Sequence, residues 1–184
     1  CTVYVAFRPP ASGRRTGAVT VTSNASGSPH AVALSGDVLV AQPAPTAALP
    51  SGWSTRDVGA VGAAGSATYS SGTFTVKGAG ADVWGTSDAL RFVYQPMAGD
   101  GEIVARVASV QNVHAWVKAG VMIRQSLDAA SPHGFMIVSA GKGLSFQRRA
   151  QTGGISTHTS GGAGTAPKWV KLVRRGQAIS AWHS

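Results

Sequence analysis

The stretch that decides the fold is Ala115-Trp-Val-Lys-Ala-Gly-Val-Met-Ile-Arg124. Its odd-numbered positions, from 115 to 123, hold only alanine, valine and isoleucine, whereas the even-numbered positions mix tryptophan, lysine, glycine, methionine and arginine. Successive side chains of a β-strand point to opposite faces, so this pattern predicts a strand whose odd face lies in an apolar core between two sheets. We expect the even face, with its aromatic ring and cations, to point outward.

Short segments of similar character fill the rest of residues 51–184. Glycine-rich turns such as Gly141-Lys-Gly143 separate them, and no helical period is visible. Many short strands at regular spacing predict an all-β sandwich. The predicted strands are 53–58, 66–70, 73–77, 82–84, 90–95, 102–110, 115–125, 134–139, 144–150, 169–174 and 179–184.

The first part of the chain has a different organisation. Segments 2–7, 18–24 and 30–38 predict three short strands, which are too few to close a sandwich. Residues 41–50 form a Pro/Ala linker, because the prolines at 43, 45 and 50 lack the donors of a central strand. The predicted domains are therefore a partial module over 1–40, a linker over 41–50 and a second domain over 51–184.

Residues 1–40 resemble a known module. The matching features are Cys1-Thr-Val-Tyr-Val-Ala-Phe-Arg-Pro9, two spaced glycines, Val19-Thr-Val-Thr-Ser-Asn-Ala25 and Val32-Ala-Leu-Ser-Gly36. They resemble the C-terminal half of the immunoglobulin-like module of ASPM, SPD-2 and hydin proteins and of bacterial choice-of-anchor D surface proteins. The resemblance implies a partial immunoglobulin-like sandwich. Acylation of Cys1 in a lipoprotein is the competing interpretation of the first residue.

Residues 49–184 resemble a second family. The motifs are Leu49-Pro-Ser-Gly-Trp53, Ala81-Asp-Val-Trp84, Asp88-Ala-Leu-Arg-Phe-Val-Tyr94, the strand 116–124 and Trp169-Val-Lys-Leu-Val-Arg174. Together they resemble a concanavalin A-like jelly-roll family of unknown function that includes regulator-of-enolase-like proteins. The resemblance implies an accessory module of a large secreted bacterial protein, located outside the cell or on its surface. The family pattern continues beyond residue 184, so we expect a jelly roll that is truncated at its C-terminus.

The charge of the chain is strongly positive. Sixteen lysines and arginines against seven acids give a formal net charge of +9. Such an excess attracts polyanions of every kind, so it does not indicate which one would bind. The alternative to a polyanion-binding site is a basic surface without any dedicated site. No apolar run is long enough to span a membrane. One faint basic-aromatic patch, Phe146-Gln-Arg-Arg149, does not amount to a nucleic-acid platform, so no nucleic-acid partner is predicted.

Residues for catalysis are scarce. The chain has one glutamate, Glu102, and no pair of carboxylates in a glycosidase-like motif, so we predict that it is not an enzyme. Its five histidines have no ligand spacing for zinc. Oxygen ligands for a structural calcium are available at Asp82, Asp88 and Asp100, and turn capping by these aspartates is the alternative. No other cofactor is predicted.

The outward face of 115–124 supplies the candidate ligand site. A sugar ring can stack on Trp116 while Lys118 and Arg124 bind hydroxyls or carboxylates, with Arg91 joining them if its strand is a neighbour. The alternative is that a loop covers Trp116, and Trp53 and Trp84 are interpreted as packing anchors. The predicted function is a non-catalytic carbohydrate-binding or adhesion module, for acidic glycans given the charge. A structural spacer without ligand is the second hypothesis, and a glycan-active enzyme domain is the third.

Overall fold

The computed structural model describes residues 13–38 and 48–184. In these ranges the regular secondary structure consists of β-strands alone. The prediction of an all-β fold is therefore confirmed. The chain divides into two compact units, Cys1–Ala47 and Ala48–Ser184. The predicted strand 2–7 and most of the linker 41–50 lie outside the described residues.

In the first unit the described residues form one antiparallel hairpin. Strand β1 (Gly13–Val21) pairs with β2 (His30–Val38), with Val21 opposite His30 at the turn end. β2 has the predicted bounds. β1 begins five residues earlier than its apolar run suggested, because backbone pairing to β2 continues through the polar residues 14–16.

The second unit contains thirteen strands among the described residues. Most lie within one or two residues of their predicted bounds, while the two short strands β7 and β13 were not predicted. The strands are β3 (Ser54–Val58), β4 (Ser66–Ser70), β5 (Thr73–Lys77), β6 (Val83–Trp84), β7 (Ser87–Asp88), β8 (Leu90–Tyr94), β9 (Gly101–Val107), β10 (Lys118–Arg124), β11 (His133–Ser139), β12 (Leu144–Arg149), β13 (Thr157–Ser160), β14 (Lys168–Arg175) and β15 (Ala178–His183).

Two antiparallel sheets enclose the main core. One sheet has the order β10-β11-β12-β13 and the other β15-β14-β9, while β3-β8, β4-β5 and β6-β7 form separate pairs. Apolar side chains from both sheets make one buried cluster, and Ala119 and Ile123 pack against it. The predicted orientation of the odd face of β10 is therefore confirmed. The buried members of the cluster are Val107, Val121, Met136, Val138, Leu144, Val170 and Leu172.

A second apolar cluster covers part of the other face of β10. Met122 is only 7% exposed and packs with Val83, Phe135 and Ile137, and the partly buried Leu90 and Phe92 lie against this cluster. The expectation that the whole even face points to an open groove is therefore wrong. Strands β6 and β8 cover its centre because their own apolar side chains need a partner, and the flanking Lys118 and Arg124 side chains are only 7% and 2% exposed.

The start of β10 also differs from the prediction. Residues 115 and 116 form a turn, closed by a hydrogen bond of 3.0 Å from Val117 N to His114 O, and the strand begins at Lys118. Trp116 therefore does not stand in the regular alternation of the strand. Its side chain is 40% exposed, so the alternative in which a loop covers it does not hold within the described part of the chain.

Candidate functional site

A groove of about 280 Å³ lies on the uncovered part of the β10-β11-β12-β13 sheet. Cross-strand register places Met122, Phe135, Gln147 and His158 in one row, and Met122 and Phe135 belong to the second apolar cluster. Gln147 and His158 continue this row past the second apolar cluster and line the groove. The groove, called the aromatic groove below, is lined by Asp82, Trp84, Trp116, Lys118, Gln147 and His158.

Two tryptophans form the walls of the aromatic groove. Trp84 ends the short strand β6 and is 36% exposed, and Trp116 lies in the turn before β10. The rings of His158 and Trp84 make a T-shaped contact, with centroids 5.9 Å apart and an interplanar angle of 69°. Half-exposed indoles on a concave surface are suited to stacking against a flat or amphipathic ligand ring.

The Lys118 ammonium lies between these walls. It donates a hydrogen bond of 2.5 Å to Asp82 Oδ1 and one of 3.1 Å to the Val83 carbonyl oxygen. It also lies 5.6 Å from the centroid of the Trp84 ring and 5.8 Å from that of Trp116. An ammonium group has three N–H donors, so one donor remains for a ligand.

Gln147 supplies the most informative polar group of the aromatic groove. Its side chain is 2% exposed, yet its Oε1 has no hydrogen-bond partner among the described residues. A buried acceptor without a partner is costly, and such groups are rare in folded proteins. Beside it, Ser145 Oγ and His158 Nδ1 lie 3.3 Å apart. Gln147 lines the groove, but its Oε1 is covered by neighbouring atoms, so a hydroxyl or amide N–H of a ligand can satisfy this acceptor once the amide group turns toward the groove.

A buried arginine fixes the Trp84 wall. The Arg149 guanidinium donates to the carbonyl oxygens of Trp84 and Gly85, at 3.2 and 3.3 Å, and to both carboxylate oxygens of Asp88, at 2.6 and 3.0 Å. The Gly85 carbonyl also accepts from the Ser156 hydroxyl at 2.9 Å. These bonds tie the β6-β7 hairpin to β12, the strand that carries Gln147.

The Asp88 carboxylate is the centre of a buried ionic cluster that also contains Arg124, His133 and Arg149. Arg124 Nη2 and His133 Nδ1 each lie 3.5 Å from Asp88 Oδ2. Burial lowers the pKa of His133 below its ordinary value of 6.5, although Asp88 acts in the opposite direction. Two buried arginines and one carboxylate are present already, so a neutral imidazole limits the excess of positive charge.

Comparison of the chain with protein-family models, with curated proteins and with solved structures found no match. Within residues 13–38 and 48–184, no helix has the length and apolar character needed to cross a membrane. The geometry of the aromatic groove is therefore the basis for any functional conclusion.

The structure brings together two of the four predicted ligand residues, Trp116 and Lys118. Arg124 is enclosed instead, because its side chain is 2% exposed and donates to the carbonyl oxygens of Ser126 and Asp128. Arg91 is also placed elsewhere. Its strand, β8, pairs with β3 and not with β10, and its guanidinium forms an ion pair of 3.1 Å with Asp57. These two arginines do not line the groove.

The three aspartates predicted for calcium have separate partners. Asp82 binds Lys118, Asp88 binds Arg149, and Asp100 accepts a hydrogen bond of 2.7 Å from the Gly176 amide. In the described ranges no group of three His, Cys, Asp or Glu residues is arranged to hold a metal ion. The three carboxylates therefore do not converge on one site in these ranges. The bond from the Gly176 amide to Asp100 fits the turn-capping alternative, whereas Asp82 and Asp88 form ion pairs, and calcium binding stays a prediction.

Four residues of the aromatic groove were not predicted as ligand residues: Asp82, Trp84, Gln147 and His158. Trp84 and Trp53 were interpreted as packing anchors, and both rings do pack, Trp84 against His158 and Trp53 against Phe74 at a centroid distance of 5.0 Å, but Trp84 also lines the groove. Gln147 could have been found from the alternation in β12. Leu144 and Phe146 face the main core, so the side chain of Gln147 must point to the opposite face of the sheet, where the groove lies. The Phe146–Arg149 segment is no basic surface patch, since Arg149 is 1% exposed.

Proposed function

We propose that the second unit is a non-catalytic carbohydrate-binding module, and that the aromatic groove holds one sugar ring. The ring stacks on the indoles of Trp84 and Trp116, and its hydroxyls bond to Lys118, Gln147 and His158. The observation that carries this proposal is that Gln147, whose buried Oε1 lacks a partner, lines a groove with aromatic walls. A sugar hydroxyl is the kind of donor that this acceptor requires.

The size and chemistry of the groove support binding in preference to hydrolysis. Of its six described lining residues one is a carboxylate, Asp82, and that carboxylate is bound to Lys118. Glycoside hydrolysis generally needs two carboxylates across the scissile bond. A volume of about 280 Å³ is near the lower limit for ligand pockets, so it suits one ring. At about 0.3 kcal/mol per non-hydrogen atom, the expected Kd for one ring is on the order of 1 mM.

The wider setting belongs to the same proposal. We propose that the groove belongs to a concanavalin A-like jelly roll that follows an immunoglobulin-like module in the sequence, in a protein that acts outside the cell or at its surface. The two packed antiparallel sheets in the second unit support the β-sandwich part of this proposal. Weak single-ring sites are useful in such proteins because several modules on one chain can engage one polysaccharide together.

A glycan-binding experiment tests the proposal. The full chain is screened on a glycan array and its hits are titrated with Trp116→Ala and Trp182→Ala. Trp182 is the matched control, because it is 49% exposed but lies on β15 in the other sheet. We expect Trp116→Ala to weaken binding about tenfold or more, or about 1.4 kcal/mol, and Trp182→Ala to have little effect. Absence of binding to every glycan would leave the structural spacer as the better hypothesis.

A further inference from the structure

The charge inside the aromatic groove differs from the charge of the whole chain. The chain carries a formal +9, but the groove contains one described lysine, Lys118, paired with one aspartate, Asp82. The formal charges of these two residues cancel. The excess of positive charge therefore lies outside the groove, and it does not by itself select an acidic ligand.

Lys118 is also poorly placed to receive an anion. Its side chain is 7% exposed, and its ammonium is already bound by Asp82 Oδ1 and the Val83 carbonyl between two indole rings. Asp82, in contrast, is 45% exposed at the same place. A ligand carboxylate that approaches Lys118 therefore meets the Asp82 carboxylate, and like charges at short range repel.

The unpartnered acceptor of Gln147, a residue that lines the groove, favours the same ligand class. The unpartnered Gln147 Oε1 can accept a hydrogen bond but cannot donate one. An ionised carboxylate has only acceptors, so it would leave this buried group unsatisfied, whereas a hydroxyl or an amide N–H would satisfy it.

We propose that Asp82 makes the aromatic groove selective for uncharged sugars over the corresponding uronic acids, by neutralising Lys118 and repelling ligand carboxylates. The inference rests on the proposed carbohydrate binding and adds the ligand class and the residue that determines it. It departs from the expectation, drawn from net charge alone, of an acidic glycan. Adsorption of polyanions to the rest of the surface is a separate, salt-dependent effect.

The test compares matched ligands that differ only in charge. Methyl glucoside and methyl glucuronide, and the corresponding galactose pair, are titrated into the full chain at about 0.15 M salt, so that long-range attraction is screened. The wild-type chain is expected to bind the neutral member of a pair at least severalfold more tightly. The Asp82→Asn variant keeps an oxygen that can accept from Lys118 and from the Val83 amide but removes the charge, so the preference should fall or reverse.

A second variant covers the case in which Asp82→Asn is unstable. Lys118→Met leaves the Asp82 charge unpaired, so it is expected to increase the discrimination against the uronide. Tighter binding of the uronide by the wild-type chain, or an unchanged ratio in a folded Asp82→Asn variant, overturns the inference and leaves carbohydrate binding intact. Failure of every neutral and acidic sugar to bind the wild-type chain overturns the proposed function, and this inference with it.

Discussion

Asp88 is the one carboxylate in the described part of the chain that is bound to two buried arginine side chains. It is 2% exposed and contacts Arg149 at 2.6 Å and Arg124 at 3.5 Å. A buried ion pair adds little stability compared with apolar packing, but removal of one partner is costly because the remaining charge stays buried. The contacts of Asp88 with the two arginines therefore hold the ionic cluster in place, and through Arg149 they also position the Trp84 wall.

Asp88→Asn is expected to lower the free energy of unfolding by about 3 kcal/mol or more, because two buried guanidinium groups lose their counter-charge. Urea unfolding followed by circular dichroism measures this change. Glu102→Gln is the control, since Glu102 pairs with Lys171 on the exposed surface and its loss should leave the unfolding curve unchanged. A loss below about 1 kcal/mol for Asp88→Asn would contradict the role assigned to the cluster.

His133 gives the fold a pH dependence. Burial lowers its pKa in the folded state, so the unfolded chain binds the proton first as the pH falls. The neutral ring faces Asp88, Arg124 and Arg149, and a third positive charge beside the two arginines is unfavourable. The contribution of His133 to stability is complete above pH 6.5 and is lost progressively below it.

The measurement is the free energy of unfolding from about pH 8 to about pH 5.5, compared between the wild type and His133→Gln. The wild type is expected to lose stability across the acidic half of this range, and His133→Gln to show a flatter profile. His183→Gln, which changes an exposed histidine, should keep the wild-type slope. Parallel profiles for the wild type and His133→Gln would refute the assignment.

At the scale of elements, alternation in the sequence predicts what a strand buries but not what covers its other face. The odd positions of β10 pack into the main core as the pattern indicates. The even position Met122 is buried as well, by Val83, which is 39 positions away in the sequence. No periodicity within β10 can reveal this contact, because the covering strands are short and their docking depends on long-range packing.

Met122→Ala tests this double burial. It is expected to lower the free energy of unfolding by about 2–5 kcal/mol, the range for truncation of a buried large side chain. Val113→Ala, at a side chain that is 71% exposed, should change it by less than about 0.5 kcal/mol. If the two variants behaved alike, the second apolar cluster would not be a core.

The same reasoning explains which parts of the candidate site could be predicted. The alternation of residues 115–124 identifies both Trp116 and Lys118, although Trp116 lies in the turn before β10. Asp82 and Trp84 reach the groove because Arg149, 65 positions from Trp84 in the sequence, fixes the β6-β7 hairpin. His158 belongs to β13, whose four exposed polar residues have no apolar pattern. Arg91 was misplaced because pairing of β8 with β3 cannot be read from either strand alone.

For the whole molecule, the second unit contains the buried residues of both described apolar clusters. A hairpin alone is at best marginally stable in water, so the described strands of the first unit contribute no comparable core. The fragment 48–184 is therefore expected to unfold cooperatively with a midpoint within a few degrees of the full chain. Thermal unfolding by circular dichroism measures both midpoints. A midpoint lower by more than about 8 °C, equivalent to a loss above about 2 kcal/mol, would show that stability depends on residues 1–47.

The most direct measurement of sugar binding uses the five tryptophans as separate reporters. Each indole N–H gives its own peak in a ¹H–¹⁵N spectrum, and neutral methyl pyranosides are titrated one by one into the labelled full chain. The account predicts that at least one sugar shifts the peaks of Trp84 and Trp116 saturably and leaves those of Trp53, Trp169 and Trp182 in place. Titrations in which the Trp84 and Trp116 peaks stay fixed, or in which only Trp169 and Trp182 move, would contradict it.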